Sequence, residues 1–181
     1  MKKLMTNGTL IVGTLLMLAA RSAFGASDTT HVDKEKYPAR ETTLDLFGSG
    51  SIGQQTINNL NEIKVGHDVR LGAGLGLNYF PTRHIGFGAE AYTENTSHSF
   101  VDGTSASLIG RLPLGRSGFA PYAFGGGGYQ FDPGQLWFGH AGAGLEYRFT
   151  RRLGAFIDAR YVLTDGTKNY GLGRLGLRIG F

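Results

Sequence analysis

Residues 69–80 read VRLGAGLGLNYF. Val69, Leu71, Ala73, Leu75, Leu77 and Tyr79 fall on one face, and Arg70, Gly72, Gly74, Gly76 and Asn78 on the other. A period of two is the mark of a β-strand with chemically distinct faces. Working outward, the alternation returns three more times. In LWFGHAGAGLEYRF (136–149), Trp137, Ala141, Ala143, Leu145, Tyr147 and Phe149 oppose His140, Glu146 and Arg148. In LGAFIDARYVL (153–163), Leu153, Ala155, Ile157, Ala159, Tyr161 and Leu163 oppose Asp158 and Arg160. In RLGLRIGF (174–181), Leu175, Leu177, Ile179 and Phe181 oppose Arg174 and Arg178.

Weaker segments complete the set. TLDLFGSG (43–50) sets Leu44 and Leu46 against Asp45, and IGFGAEAY (85–92) sets Ile85, Phe87, Ala89 and Ala91 against Glu90. SASLIGRLPL (105–114) sets Leu108, Leu112 and Leu114 against Arg111. FAPYAFGGGGYQF (119–131) is least regular, and its Pro121 and run of glycines predict a bulge. The expectation is eight strands of roughly 8 to 13 residues. Their connections alternate between short basic turns (PTRH, GRSG, TRR) and longer polar loops (IGQQTINNLNEIK, TENTSHSFVDGT, DPGQ, TDGTKN). That is an up-and-down meander, and its even strand number places both chain ends beside the short turns.

The N-terminus reads differently. Lys2 and Lys3 precede an apolar run, Leu10 to Ala20, and Ala23-Phe24-Gly25 offers a small-x-small cleavage site. The run is shorter than the roughly 20 residues of a membrane-spanning helix, so residues 1–25 are expected to be a secretory signal. Residues 26–42 are polar and aperiodic, a flexible lead-in, and residues 43–181 form the barrel domain. Removing Lys2, Lys3 and Arg21 from 18 basic residues leaves 15 against 14 acidic, a net of +1 that argues against a nucleic-acid partner. With no cysteine, disulfides and thiolate metal sites are excluded.

In a soluble β-protein the apolar face would be the core. Here the other face is mostly Gly, Ser and Ala with single charges, too small to coat a soluble surface. The inverse assignment puts the apolar face against lipid and closes the sheet so that no edge is unpaired. Strand length, alternation and the aromatics Tyr79, Trp137, Tyr147, Phe149 and Tyr161 towards strand ends fit a transmembrane β-barrel with interfacial girdles. A lipocalin-like barrel, with the apolar face turned inward around a ligand, is the alternative.

These features favour the outward assignment, and the last strand adds to it. A polar residue, a Gly two later, and hydrophobics at the third-last and last positions occur at Arg174, Gly176, Ile179 and Phe181. This resembles the assembly signal of Gram-negative outer-membrane barrels, and residues 43–181 resemble by pattern the small eight-stranded barrels such as the OmpA membrane domain and OmpX. The resemblance implies an outer-membrane location, porin-like architecture, contact with outer-membrane lipid, and handling by periplasmic chaperones and the barrel-assembly machinery. It departs from OmpA in having no peptidoglycan-binding domain after Phe181.

The charges expected inside are Asp45, Arg70, Glu90, Arg111, Glu146, Arg148, Asp158, Arg160, Arg174 and Arg178. Four acids would face six arginines in an ion network, with inward glycines leaving volume for the arginines. A structural plug is the expectation, and a narrow channel is the alternative, leaning to anions through its excess positive charge. No cofactor or metal is expected, because His31, His67, His84, His98 and His140 show no close ligand spacing. No catalysis is expected either. His140 is followed by AGAG and lacks the Ser two residues on that a lipid-deacylase-like His-x-Ser pattern requires, and His98 and His67-Asp68 lie in or beside loops. The expected role is structural or surface-interacting, with any external ligand held by the loops around 51–66 and 94–104.

Overall fold

A computed structural model describes residues 36–57, 63–65, 70–94, 101–115, 117–131, 135–164 and 168–181. The expected signal, most of the lead-in, His31, His67, His98 and the tips of the loops lie outside the described residues. The strands are β1 (Glu41–Ile57), β2 (Ile63–Val65), β3 (Arg70–Phe80), β4 (Ile85–Glu94), β5 (Gly103–Arg111), β6 (Phe119–Gln130), β7 (Leu136–Arg148), β8 (Leu153–Thr164) and β9 (Lys168–Gly180). All neighbours pair antiparallel, and β1 also pairs with β9, from Thr43↔Gly180 to Thr56↔Lys168. The eight long strands therefore form a closed barrel. β2 is an addition to the expected count, a short strand paired with the far end of β1 through Gln55↔Val65 to Ile57↔Ile63.

Closure leaves two faces, and exposure assigns them. Leu71 is 75% exposed, Trp137 69% and Leu175 65%, whereas Glu146 and Arg148 are 0%. The apolar side chains face out and the ionised ones face in, which is the lipid-facing arrangement; a lipocalin-like interior would show the reverse.

Three expectations need correction. The bulge predicted in β6 is absent: its registers to β5 and β7 run unbroken from Gly103↔Gln130 to Arg111↔Tyr122 and from Phe119↔Tyr147 to Gln130↔Leu136. The irregularity sits at the closing seam, between Ile52 and Gln55 of β1. Pro121 lies just past the last β5 ladder pair, Arg111↔Tyr122, where its missing N–H costs no ladder bond, and its carbonyl accepts from the Leu112 amide at 2.9 Å.

Second, the lead-in does not extend to residue 42. β1 starts at Glu41, and Tyr37 is 2% exposed, its hydroxyl donating to the Gly118 carbonyl at 2.5 Å. Residues 36–40 form a strap across the turn end of the barrel. Arg40, at φ 57°, turns the chain from the strap into β1.

Third, the inner face is not only small residues and charges. Phe47, Phe80, Tyr122, Phe124, Phe138 and Phe156 are all buried within. Each ring lies over a glycine. A Cβ on Gly74 would strike Phe47, one on Gly86 Phe80, one on Gly128 Phe138, and one on Gly142, Gly144 or Gly176 the rings of Phe124, Tyr122 or Phe156. Five of these are direct cross-strand partners: Phe47↔Gly74, Tyr122↔Gly144, Phe124↔Gly142, Phe138↔Gly128 and Phe156↔Gly176. Facing large against small fills the interior without overpacking it. The space expected for arginines is mostly taken by rings; Gly154, under Arg148 Cδ, and Gly180, beside Arg148 Nη1, are where the expectation holds.

Candidate functional site

The interior holds two ionic layers, built because alternate residues of β1, β4, β5, β7, β8 and β9 point inward. At the turn end, Glu146 of β7 is the hub. It accepts from Arg178 Nη1 at 2.5 Å and from Arg148 Nε, with Arg111 Nη1 at 3.6 Å. Glu41 bridges two of the same arginines, to Arg148 Nη1 at 2.8 Å and Arg111 Nη2 at 3.2 Å. Asp45 completes the layer, taking both Arg178 Nε at 2.7 Å and Nη2 at 2.6 Å, and Asn78 Nδ2 at 2.9 Å. Three acids thus meet three arginines, all nearly or fully buried, where an unmatched charge would be expensive.

The second layer lies towards the loops. Glu90 of β4 accepts from Arg160 Nη1 at 2.5 Å and Nη2 at 3.0 Å, from Arg174 Nη1 at 2.5 Å and from the Ser105 hydroxyl at 2.9 Å. Arg174 spans to Asp158 through Nε at 2.8 Å and Nη2 at 2.7 Å, while the Tyr122 hydroxyl donates to the same carboxylate at 2.6 Å. Two acids meet two arginines.

Rings separate and support the guanidinium groups. Phe156 lies between Arg174 and Arg178, 5.8 and 5.0 Å from ring centroid to Cζ. Arg111 sits 3.9 Å from the Phe80 centroid and 4.8 Å from that of Tyr37. Arg174 also faces Phe47 and Phe124, at 5.0 and 5.3 Å. A guanidinium plane can stack on a ring and still use its edge for carboxylates, which Lys could not do as well.

Sequence comparison finds no family model and no curated protein that matches the chain. Comparison of folds does find relatives. The N-terminal β-barrel domain of Pseudomonas aeruginosa OprF superposes with a TM-score of 0.60 at 18% identity, covering 79% of this chain and 98% of that one. Neisserial surface protein A gives 0.60 at 12% identity, covering 77% and 97%. Ail, the attachment invasion locus protein of Yersinia pestis, gives 0.55 at 16%, covering 79% and 99%. Their fold, with the lipid-facing exterior, decides the architecture. The chain has the fold of a small outer-membrane β-barrel.

On this outer-membrane barrel, nine of the ten expected interior charges belong to the two layers. Arg70 does not: it lies half-buried at the loop end of β3, opposite Ser51. Glu41 was missed, and its inclusion makes the layers five acids against five arginines; the expected positive excess disappears. Its signal was weak, since Pro38 and Arg40 break the alternation just before it.

The expected aromatics face outward in two girdles. At the turn end, Tyr147 packs on Phe119 and Phe149, with ring centroids 4.6 and 5.2 Å apart, and Tyr79 is exposed near the 81–84 turn. At the loop end, Trp137 packs on Tyr129 at 5.0 Å, and Tyr161 is exposed on β8. The expected assembly-signal residues divide between faces. Arg174 and Gly176 are inward, the latter leaving room for Phe156, while Ile179 pairs with Leu44 across the closing seam and Phe181 is exposed.

Sequence spacing also missed a serine–histidine contact. His140 Nε2 lies 2.9 Å from Ser107 Oγ, supplied by β5 from across β6 rather than by the same strand. His140 is buried beside Phe124 and Phe138, Ser107 is half-buried, and among the described residues His140 Nδ1 has no partner. A nucleophile–base pair ordinarily has an orienting group on that nitrogen.

Proposed function

We propose that this chain is an outer-membrane barrel with a structural or surface-interaction role, its turn end in the periplasm and its loops outside, and its interior a closed plug. One observation carries the plug: five acids and five arginines match within the bore, and at the turn end the strap lays Tyr37 against Arg111 and Arg148. Charges so paired hold neighbouring strands together and leave no unmatched charge for an ion to exchange with. Function on such a scaffold then falls to the loops, around 51–66 and 94–104. Planar-bilayer recording of the folded chain tests the plug: the expected result is no resolvable single-channel steps, and stable openings of the wild-type chain would refute it.

A narrow path is the second reading. It is favoured by the loop-end layer, where the Glu90 and Arg174 side chains retain 11% and 9% exposure. Because the layers balance, such a path would lack the anion preference that an arginine excess confers. The proposal assigns no catalysis to Ser107 and His140, whose contact serves packing; His140→Ala should leave the lipids of the host membrane chemically unchanged, and altered acylation of wild-type membranes alone would reverse that assignment.

A further inference from the structure

The two ends of the barrel differ in charge. The strap and the three turns, residues 36–40, 81–84, 112–118 and 149–152, contain Lys36, Arg40, Arg83, Arg116, Arg151 and Arg152 and no Asp or Glu. The loops at the other end and the residues flanking them carry Glu62, Asp68, Glu94, Asp102, Asp132 and Asp165 against Lys64, Arg70 and Lys168. Asp28, Asp33, Lys34 and Glu35 precede the strap in sequence and do not outweigh the six basic residues of the strap and turns.

We propose that this basic rim binds the anionic phospholipid headgroups of the leaflet on its own side, an inference that rests on the outer-membrane reading. Position is the first argument. Arg151 and Arg152 follow Phe149 of the turn-end girdle, and Lys36 Nζ lies 5.8 Å from the Tyr147 ring centroid. Girdle aromatics mark headgroup depth, so these cations sit where phosphates are.

Anchoring is the second. The Arg151 carbonyl accepts from Arg148 Nη1 at 3.0 Å and the Arg152 carbonyl from the Gly180 amide at 2.7 Å, which ties the turn to the turn-end layer and the last strand. Arg40, Arg151 and Arg152 are exposed, and among the described residues none has a carboxylate partner. A guanidinium fork takes two phosphate oxygens at once. The cations come from four separate segments around the circumference, which suits an annulus of lipids better than one polymer strand.

Each basic residue near an anionic surface contributes enough to change binding about fivefold. The test uses the full chain, first checked for folding by its band shift between boiled and unboiled gel samples. It is then held in micelles doped with phosphatidylglycerol or phosphatidylcholine, and bound lipid is counted by native mass spectrometry. Wild type should prefer phosphatidylglycerol, in a salt-sensitive way. R40Q/R151Q/R152Q should lower that preference about 100-fold, R151Q alone about fivefold, and K64Q/K168Q at the loop end not at all. Equal binding of the two lipids, a preference that survives the triple change, or one lost equally in K64Q/K168Q would overturn the proposal. So would retention on purified cell-wall glycan without any lipid preference. Absence of the wild-type band shift would instead sink the barrel reading on which the proposal stands.

Discussion

The two interior layers use the same chemistry around hub carboxylates of different burial. In the turn-end layer the Glu146, Arg111 and Arg148 side chains are 0% exposed, Arg178 is 3% and Asp45, at its margin, 9%. In the loop-end layer the hub Glu90 and Arg174 are 11% and 9% exposed, while Arg160 and Asp158 are 2% and 0%. The strap causes much of the difference: Tyr37 covers one end, and no described segment does so at the other. Buried charge is tolerable only when matched, so a mismatch should cost more at the more deeply buried hub.

Breaking the hub of the turn-end layer should therefore have the largest effect. Glu146→Gln leaves three arginines facing Glu41 and Asp45 alone, at a fully buried hub. The expected loss is about 3–5 kcal/mol in urea-induced unfolding from lipid vesicles, followed by the gel band shift. Glu90→Gln makes the same change in the loop-end layer, where water can take part of the freed charge. It should cost less, about 2–3 kcal/mol. Equal losses at the two sites would show that the layers are equally dry and would remove the contrast.

A change without charge sharpens the point. Gly176 faces Phe156, whose ring lies between the two layers, and a Cβ there would meet that ring and the Leu46 carbonyl. Gly176→Val should cost about 2 kcal/mol by overpacking. Phe156→Leu added to it should recover part of the loss if the ring is the obstacle. No recovery would place the clash on the backbone of the closing seam.

How much of this was legible in the sequence follows from which contacts are local. The outer face could be read directly, because lipid imposes one requirement on every outward residue: Leu71, Leu75 and Tyr79 announce it within a single strand. The inward charges came from the same alternation. The pairing of rings with glycines did not, since Phe156 and Gly176 meet only through a register between strands, and alternation says nothing of register. The serine–histidine contact joins β5 to β7 across β6 and has no local trace at all. Glu41 and Tyr37 were lost for another reason. Pro38 and the turn at Arg40 interrupt the period, and an interrupted period reads as a loop even where tertiary contacts order it.

The strap itself gives the smallest and most selective test. Tyr37→Phe keeps the ring against Arg111 and Arg148 and removes only the hydroxyl that donates to Gly118. The expected loss is about 1 kcal/mol at neutral pH, the net value of one hydrogen bond. Its pH dependence has a definite sign. Burial, with the Glu146 carboxylate adding to it, pushes the Tyr37 hydroxyl above its ordinary value. Below the ordinary tyrosine value of about 10, docked and released straps are both protonated and the difference from Tyr37→Phe is constant. Above it the released hydroxyl ionises while the docked one does not, so docking of the wild-type strap weakens as pH rises. The gap between wild type and Tyr37→Phe should therefore shrink above about pH 10, read from unfolding midpoints at successive pH values. The other tyrosines are common to both proteins and cancel. A gap unchanged through that range would mean that the hydroxyl is not buried in the folded barrel, and that the turn end is as wet as the loop end.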